Sequence, residues 1–145
     1  MKIVSIAVIK KKGTRKKTTD EALLVQNHGI ESDAHAGPWH RQVSFLAMES
    51  IQKMRDLGLD VSFGDFAENI ATSGINWPDL PIGTQVKLGG SAVVEITQIG
   101  KECHTKCAIY HMAGDCIMPT EGVFGKVLKG GRIRCGDRVR IGDDP

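Results

Sequence analysis

Apolar residues along this chain fall in short runs rich in Val, Ile and Thr, separated by Gly, Pro or charged residues. That rhythm predicts strands with tight connections. The run Lys2–Ile9 is almost continuously apolar and reads as a buried first strand. Further strands are expected at Glu21–Gln26, Gln42–Phe45, Gln85–Leu88, Ala92–Thr97, Val123–Leu128 and Arg138–Ile141. Two hairpins are expected. In one, Gln85–Leu88 turns at Gly89-Gly90 into Ser91–Thr97, because glycine tolerates the positive φ of a tight turn. In the other, Arg132–Arg134 turns through Cys135-Gly136-Asp137 into Arg138–Ile141. One segment has helical spacing, Ala47–Leu57, with Ile51, Met54 and Leu57 on one side and Gly58 as its stop. A second, shorter helix is expected over His104–Met112. Many short strands, few helices and no βαβ alternation argue for a mainly β fold, a closed or nearly closed β-barrel of mixed or antiparallel strands, over a doubly wound sheet.

Composition narrows this picture. A chain of 145 residues fits a single domain, 1–145. Charged residues make up 25% and the net charge is +2, too weak a balance to argue for nucleic acid by itself. The first apolar run is too short to span a bilayer, and its positive charges mostly follow it, the reverse of a signal peptide. A cytoplasmic protein is therefore expected. In that setting the four cysteines, Cys103, Cys107, Cys116 and Cys135, stay reduced and serve chemistry, metal binding or packing. Cys135, with Cys116 beside it in this reading, is expected to be a small buried hydrophobe.

Four segments bear chemistry. Lys10–Lys17 holds six cations in eight residues around Gly13, either a solvated hairpin loop or a phosphate clamp. No aromatic interleaves with it to stack bases, which argues against nucleic acid. The loop 29–42 crowds Glu31, Asp33, His35, His40 and Arg41 together, as loops on a rigid scaffold do when they form sites. A zinc pair at His35 and His40 lacks further ligands nearby to complete a set of four. Glu68-Asn69 offers an acceptor and an amide, suited to gripping a heterocycle edge or to capping a turn. In the cysteine region, Cys103 follows the strand Ala92–Thr97 with Lys101 two residues before it, and a neighbouring cation favours the reactive thiolate. On a helix, Cys103, Cys107 and His111 would share a face, as a soft-metal site or as a redox pair of the two cysteines.

GIESDAHAGPWHRQVSFLAMESI, then FGDFAENIATSGI, then LPIGTQVKLGGSAVVEITQIGKECH resemble the successive motifs of MOSC domains, the family named for the C-terminal part of molybdenum-cofactor sulfurases. MPTEGVFGKVLKGG and the final GDRVRI resemble the short bacterial type. The resemblance implies a β-barrel, binding of molybdenum cofactor (molybdopterin), and a functional cysteine after the TQ-containing strand, which falls on Cys103. That cysteine would carry sulfur as a persulfide or ligate molybdenum. Asp33, His35, His40, Arg41, Glu68, Asn69 and Lys101 would line the cofactor pocket. The long sulfurases add a pyridoxal-phosphate domain that 145 residues cannot hold, so a separate cysteine desulfurase is expected as sulfur donor. A molybdoenzyme or molybdopterin-synthesis protein would be the other partner.

Three functions are thus in competition. The first is a sulfur carrier or sulfurtransferase for molybdenum cofactor through Cys103. The second is a non-catalytic zinc or molybdenum module built on Cys103, Cys107 and His111. The third is an interaction protein using Lys10–Lys17.

Overall fold

The computed structural model describes residues 1–9, 17–58, 60–63, 68–100 and 122–142. Its strands are β1 (Lys2–Val8), β2 (Lys17–Thr19), β3 (Glu21–Val25), β4 (Gly29–Ile30) and β5 (Val43–Ala47), followed by helix α1 (Met48–Asp56). Then come β6 (Ile70–Ser73), a 3-10 turn at Trp77–Asp79, β7 (Gln85–Leu88), β8 (Ala92–Ile99), β9 (Val123–Lys129), β10 (Gly131–Arg134) and β11 (Val139–Ile141). They form an eight-stranded sheet of order β11-β7-β8-β9-β5-β6-β1-β2 and a three-stranded sheet of order β10-β3-β4.

Alternation along the strands divides the apolar residues between two faces. Val43, Phe45, Val94, Ile96, Val123 and Val127 point into the main core, where Phe45 packs against the buried Trp77 with ring centroids 4.7 Å apart. The opposite face carries Leu46, Ala71 and Phe124, which Ile51 and Met54 of α1 cover. Strand β5 is consequently buried at every residue. The helix fits its expected span, with Ala47 and Leu57 as its flanking residues. At its end Gly58 takes φ +94 and its N–H bonds the Arg55 carbonyl at 2.9 Å, a left-handed stop that glycine adopts without strain. No described helix is long and apolar enough to cross a membrane.

The mainly β class stands, with mixed and antiparallel pairing, but three expectations need correction. First, no described sheet closes on itself as a closed barrel would. The join is partial, since β1 divides its free edge. Ile6–Val8 pairs with β2, while the other end makes the isolated bridge Lys2↔Arg138 and bonds Ile3 N–H to the Asp137 carbonyl at 2.9 Å. Second, a βαβ unit is present: β5 and β6 are parallel neighbours joined through α1. Third, the turn at Cys135-Gly136-Asp137 is real but its flanking strands do not pair. β10 pairs with β3 and β11 pairs with β7, so the turn passes the chain from one sheet to the other. Glu21 on β3 faces Arg132 and Arg134 at 3.3 and 3.1 Å, and Ile133 and Val139 both enter the main core from either side of the corner. The other expected hairpin forms with Leu88 opposite Ala92.

Candidate functional site

Loop 31–42 is held by its own carboxylate. Asp33 is buried, and its Oδ1 accepts the Ile9 N–H at 2.9 Å just beyond β1, while Oδ2 accepts the His35 N–H at 3.3 Å. The Ala34 N–H answers by donating to the Ile9 carbonyl at 2.6 Å. Across the loop, Trp39 Nε1 donates to the His35 carbonyl at 2.8 Å, which sets the indole on the surface at 43% exposure. The loop then enters β5 through buried Gln42, whose Oε1 accepts the Val127 N–H at 2.9 Å and whose Nε2 donates to Asn27 Oδ1 at 3.1 Å.

Asn69 meets the same end of β1 from the other side. Its Nδ2 donates to the Ala7 carbonyl at 3.1 Å, and its Oδ1 accepts both the Ser44 N–H at 3.0 Å and the Ser44 hydroxyl at 3.1 Å. The amide thus ties β1, β5 and the start of β6 together while 2% exposed. Glu68 beside it is 1% exposed.

His40 and Arg41 reach instead to β8. Gln98 Oε1 accepts from Arg41 Nε at 3.0 Å and lies 2.9 Å from His40 Nε2. A carbonyl oxygen only accepts, so His40 carries its proton on Nε2 here, leaving Nδ1 as an acceptor in the neutral ring. Gln98 Nε2 donates to the Gly100 carbonyl at 2.9 Å, which orients the amide for both contacts. Thr97 Oγ1 bonds the His40 carbonyl and lies 3.2 Å from that of Phe124. The Arg41 guanidinium rests over the Phe124 ring at 5.3 Å and beside Trp39 at 6.0 Å, both favourable cation–π distances. The result is a surface platform of Trp39, His40 and Arg41, with Ile99 40% exposed at the same strand end.

The expected site residues therefore fall into two groups. Asp33 and Asn69 clasp the end of β1, whereas His40 and Arg41 sit at the end of β8, with half-buried His35 on the loop that joins them. Lys101, Cys103, Cys107, His111 and Cys116 lie outside the described residues, as do 10–16 of the basic run. The flanks of both segments are placed. Gly100 N–H bonds the Gly122 carbonyl at 2.7 Å, so 101–121 connects the antiparallel pair β8 and β9. Likewise Val8↔Lys17 makes the basic run the connection of a β1–β2 hairpin. Cys135 is a correction. It is exposed, with its thiol 3.7 Å from the Thr19 carbonyl, because the corner between the two sheets lies at the surface. Among the described residues no three His, Cys, Asp or Glu side chains gather as a metal site. Sequence reasoning missed Thr97, Gln98, Trp39 and Phe124; the signal available was an aromatic residue set alone in a polar loop.

A mainly β domain with a basic and aromatic platform at a hairpin mouth is the class defined by these features. The chain belongs to the MOSC domain family, whose model matches residues 32–140. No curated protein matches the chain. Among solved structures, YuaD from Bacillus subtilis superimposes with a TM-score of 0.78 at 17% identity, covering 97% of this chain and 94% of that one. YiiM from Geobacillus stearothermophilus gives 0.71 at 22% identity, covering 97% and 74%. YiiM from Escherichia coli gives 0.68 at 15% identity, covering 100% and 71%. At these identities the likeness is one of fold.

Proposed function

We propose that this protein binds a molybdopterin-type cofactor on the Trp39–Arg41 platform and carries sulfur to it through Cys103. The observation that carries the reading is the pinning of His40 and Arg41 by Gln98, on the strand from whose end the Cys103 segment departs. Chain connectivity alone keeps Cys103 within about 11 Å of Gly100. The described residues suit a phosphate-bearing heterocycle. Trp39 offers an exposed π-face, and the terminal nitrogens of Arg41 have no partner among the described residues, leaving a fork for phosphate. When bound, the cofactor supplies the molybdenum centre that receives sulfur.

Within this reading Cys103 works as a thiolate, favoured by Lys101. It attacks the outer sulfur of a donor persulfide; the new S–S bond forms as the donor's own sulfur leaves as thiolate. Asp33 and Asn69 act by holding the loop and β1 in place, and His35 and Glu68 are counted with them among the residues of the cofactor site. A separate pyridoxal-phosphate desulfurase is the donor, a molybdoenzyme or molybdopterin-synthesis protein the recipient, and a reducing cytoplasm the setting. We also read the larger sheet as a nearly closed barrel, supported by the Lys2↔Arg138 bridge.

Arg41→Ala tests the platform. Its cofactor affinity should fall by about 1–3 kcal/mol, the range of a hydrogen bond to a charged group, with the fold retained. Unchanged affinity in a titration of the variant would remove Arg41 from the site.

A further inference from the structure

Strand β1 divides one edge between two neighbours, and a hollow opens where they part. Ile6–Val8 pairs with β2, whereas the Ile3 carbonyl accepts the Gly136 N–H of the corner at 2.7 Å. On its other edge the register with β6 slips between Ile3 and Ser5, so Val4 is the extra residue of a β-bulge. Ile3 and Ile6 both face the main core, and Val4 packs on the cluster beneath α1. The bulge thus lets Val4 and Ser5, two consecutive residues, border the same hollow, together with Phe63, Thr19, Asp20 and Cys135. Its volume is about 500 Å³. Clefts that hold small molecules span roughly 300–1,000 Å³.

Two independent observations say what the hollow suits. Cys135 brings an exposed thiol to it, fixed in place by its own N–H, which donates to the Asp20 carbonyl at 3.0 Å. Ser5 is 5% exposed, and its hydroxyl makes no hydrogen bond to a described residue. A hydroxyl so nearly buried ordinarily has a partner, and the hollow is where one can reach it. The charged side chain of the lining is the exposed carboxylate of Asp20. Arg134, next to Cys135 in the chain, is engaged by Glu21 at 3.1 Å. We propose that Cys135 is a modification site for a small aminothiol, held in this hollow as a mixed disulfide. The ammonium group of the adduct lies against Asp20, its carbon chain meets Val4 and Phe63, and the Ser5 hydroxyl bonds it from the floor. The co-reactant is the symmetrical disulfide of the aminothiol. Cys135 gives up its proton and attacks one sulfur; the new S–S bond forms as the other half leaves as thiolate and takes up that proton. The adduct is a reversible cap, removed by exchange with a free thiol. The site is separate from Cys103 and does not depend on what the Trp39–Arg41 platform binds.

The test is reaction of the reduced full chain with cystamine and, in parallel, with dithiodipropionate, a disulfide of similar length that ends in carboxylates. Peptide mapping follows the rate at Cys135. Each rate is divided by that of the same thiol in the urea-unfolded chain, which removes the intrinsic difference between the reagents. The folded chain should favour cystamine by about fivefold, the worth of one unit-charge pair near 4 Å in water, and Asp20→Asn should abolish that preference. Ser5→Ala should lower the equilibrium constant for the cysteamine adduct by about fivefold, the worth of one hydrogen bond. Asp20 is exposed, so its variant keeps the test valid even where Ser5→Ala fails to fold. Equal corrected rates for the two reagents, a preference that survives Asp20→Asn, or an unchanged equilibrium in folded Ser5→Ala would overturn the proposal.

Discussion

Asn69 occupies a position where one buried amide serves three polar groups. Removing it would take the side-chain partner away from the Ser44 N–H and the Ala7 carbonyl in a space closed to water. Asn69→Leu should therefore cost about 3 kcal/mol or more, measured by denaturant unfolding with an unchanged slope. A loss below about 1 kcal/mol would mean the clasp is replaceable, against the reading here. The candidate residue was legible in the sequence, but its task was not, because an amide that grips a heterocycle and one that clasps two strands look identical in one dimension. Gln98 was passed over for a related reason. On an alternating strand a glutamine reads as a solvent-facing residue, and only the return of loop 31–42 across β8 brings His40 and Arg41 to it. For the thiols, a limiting dose of iodoacetamide at neutral pH should label Cys103, beside Lys101, before the exposed Cys135. Peptide mapping with Cys135 labelled first would contradict the assignment.

Helix α1 shows how an element's pattern specifies its packing. Ile51 and Met54, three residues apart, both descend onto Leu46, Ala71 and Phe124 on the outer face of the sheet. Glu49 in its first turn accepts the Gly74 N–H at 3.2 Å, tying the helix to the end of β6. Ile51→Ala should destabilise the protein by about 3 kcal/mol through lost burial and a residual cavity, measured by thermal or urea unfolding. A loss under about 1 kcal/mol would show that this face carries little of the stability. Because Phe124 lies beneath both α1 and Arg41, the helix also supports the platform. The helix and the β7–β8 hairpin were readable, since spacing and glycine chemistry are local. Strands β2, β4 and β6 were not, being two to four residues long and recognisable only through partners distant in sequence. The corner at Cys135–Asp137 failed for the complementary reason. Turn residues predict a reversal of direction, but they say nothing of the partner, and β10 joins β3 in the other sheet, where Ile133 enters the main core.

Across the whole molecule, the two ends of β8 carry different sets of side chains. One end bears the Trp39–Arg41 platform and the departure of the Cys103 segment; the other lies beside Lys87, Lys129 and Arg140. The family was legible because several motifs occur in order, each tied to a structural duty: Asp33 stapling the loop, Asn69 clasping β1, and Gln98 orienting the platform. The chemistry of the cofactor was not legible from the strands, which define where a site can form but not what it holds. The decisive measurement is native mass spectrometry with peptide mapping, after co-expression with a cysteine desulfurase and a molybdopterin-synthesis pathway. The account predicts a pterin adduct, together with one extra sulfur on Cys103 that disappears in a folded Cys103→Ser protein. Persulfide on another cysteine with Cys103 unmodified, or stoichiometric zinc lost in both Cys103→Ser and Cys107→Ser with no pterin bound, would contradict it.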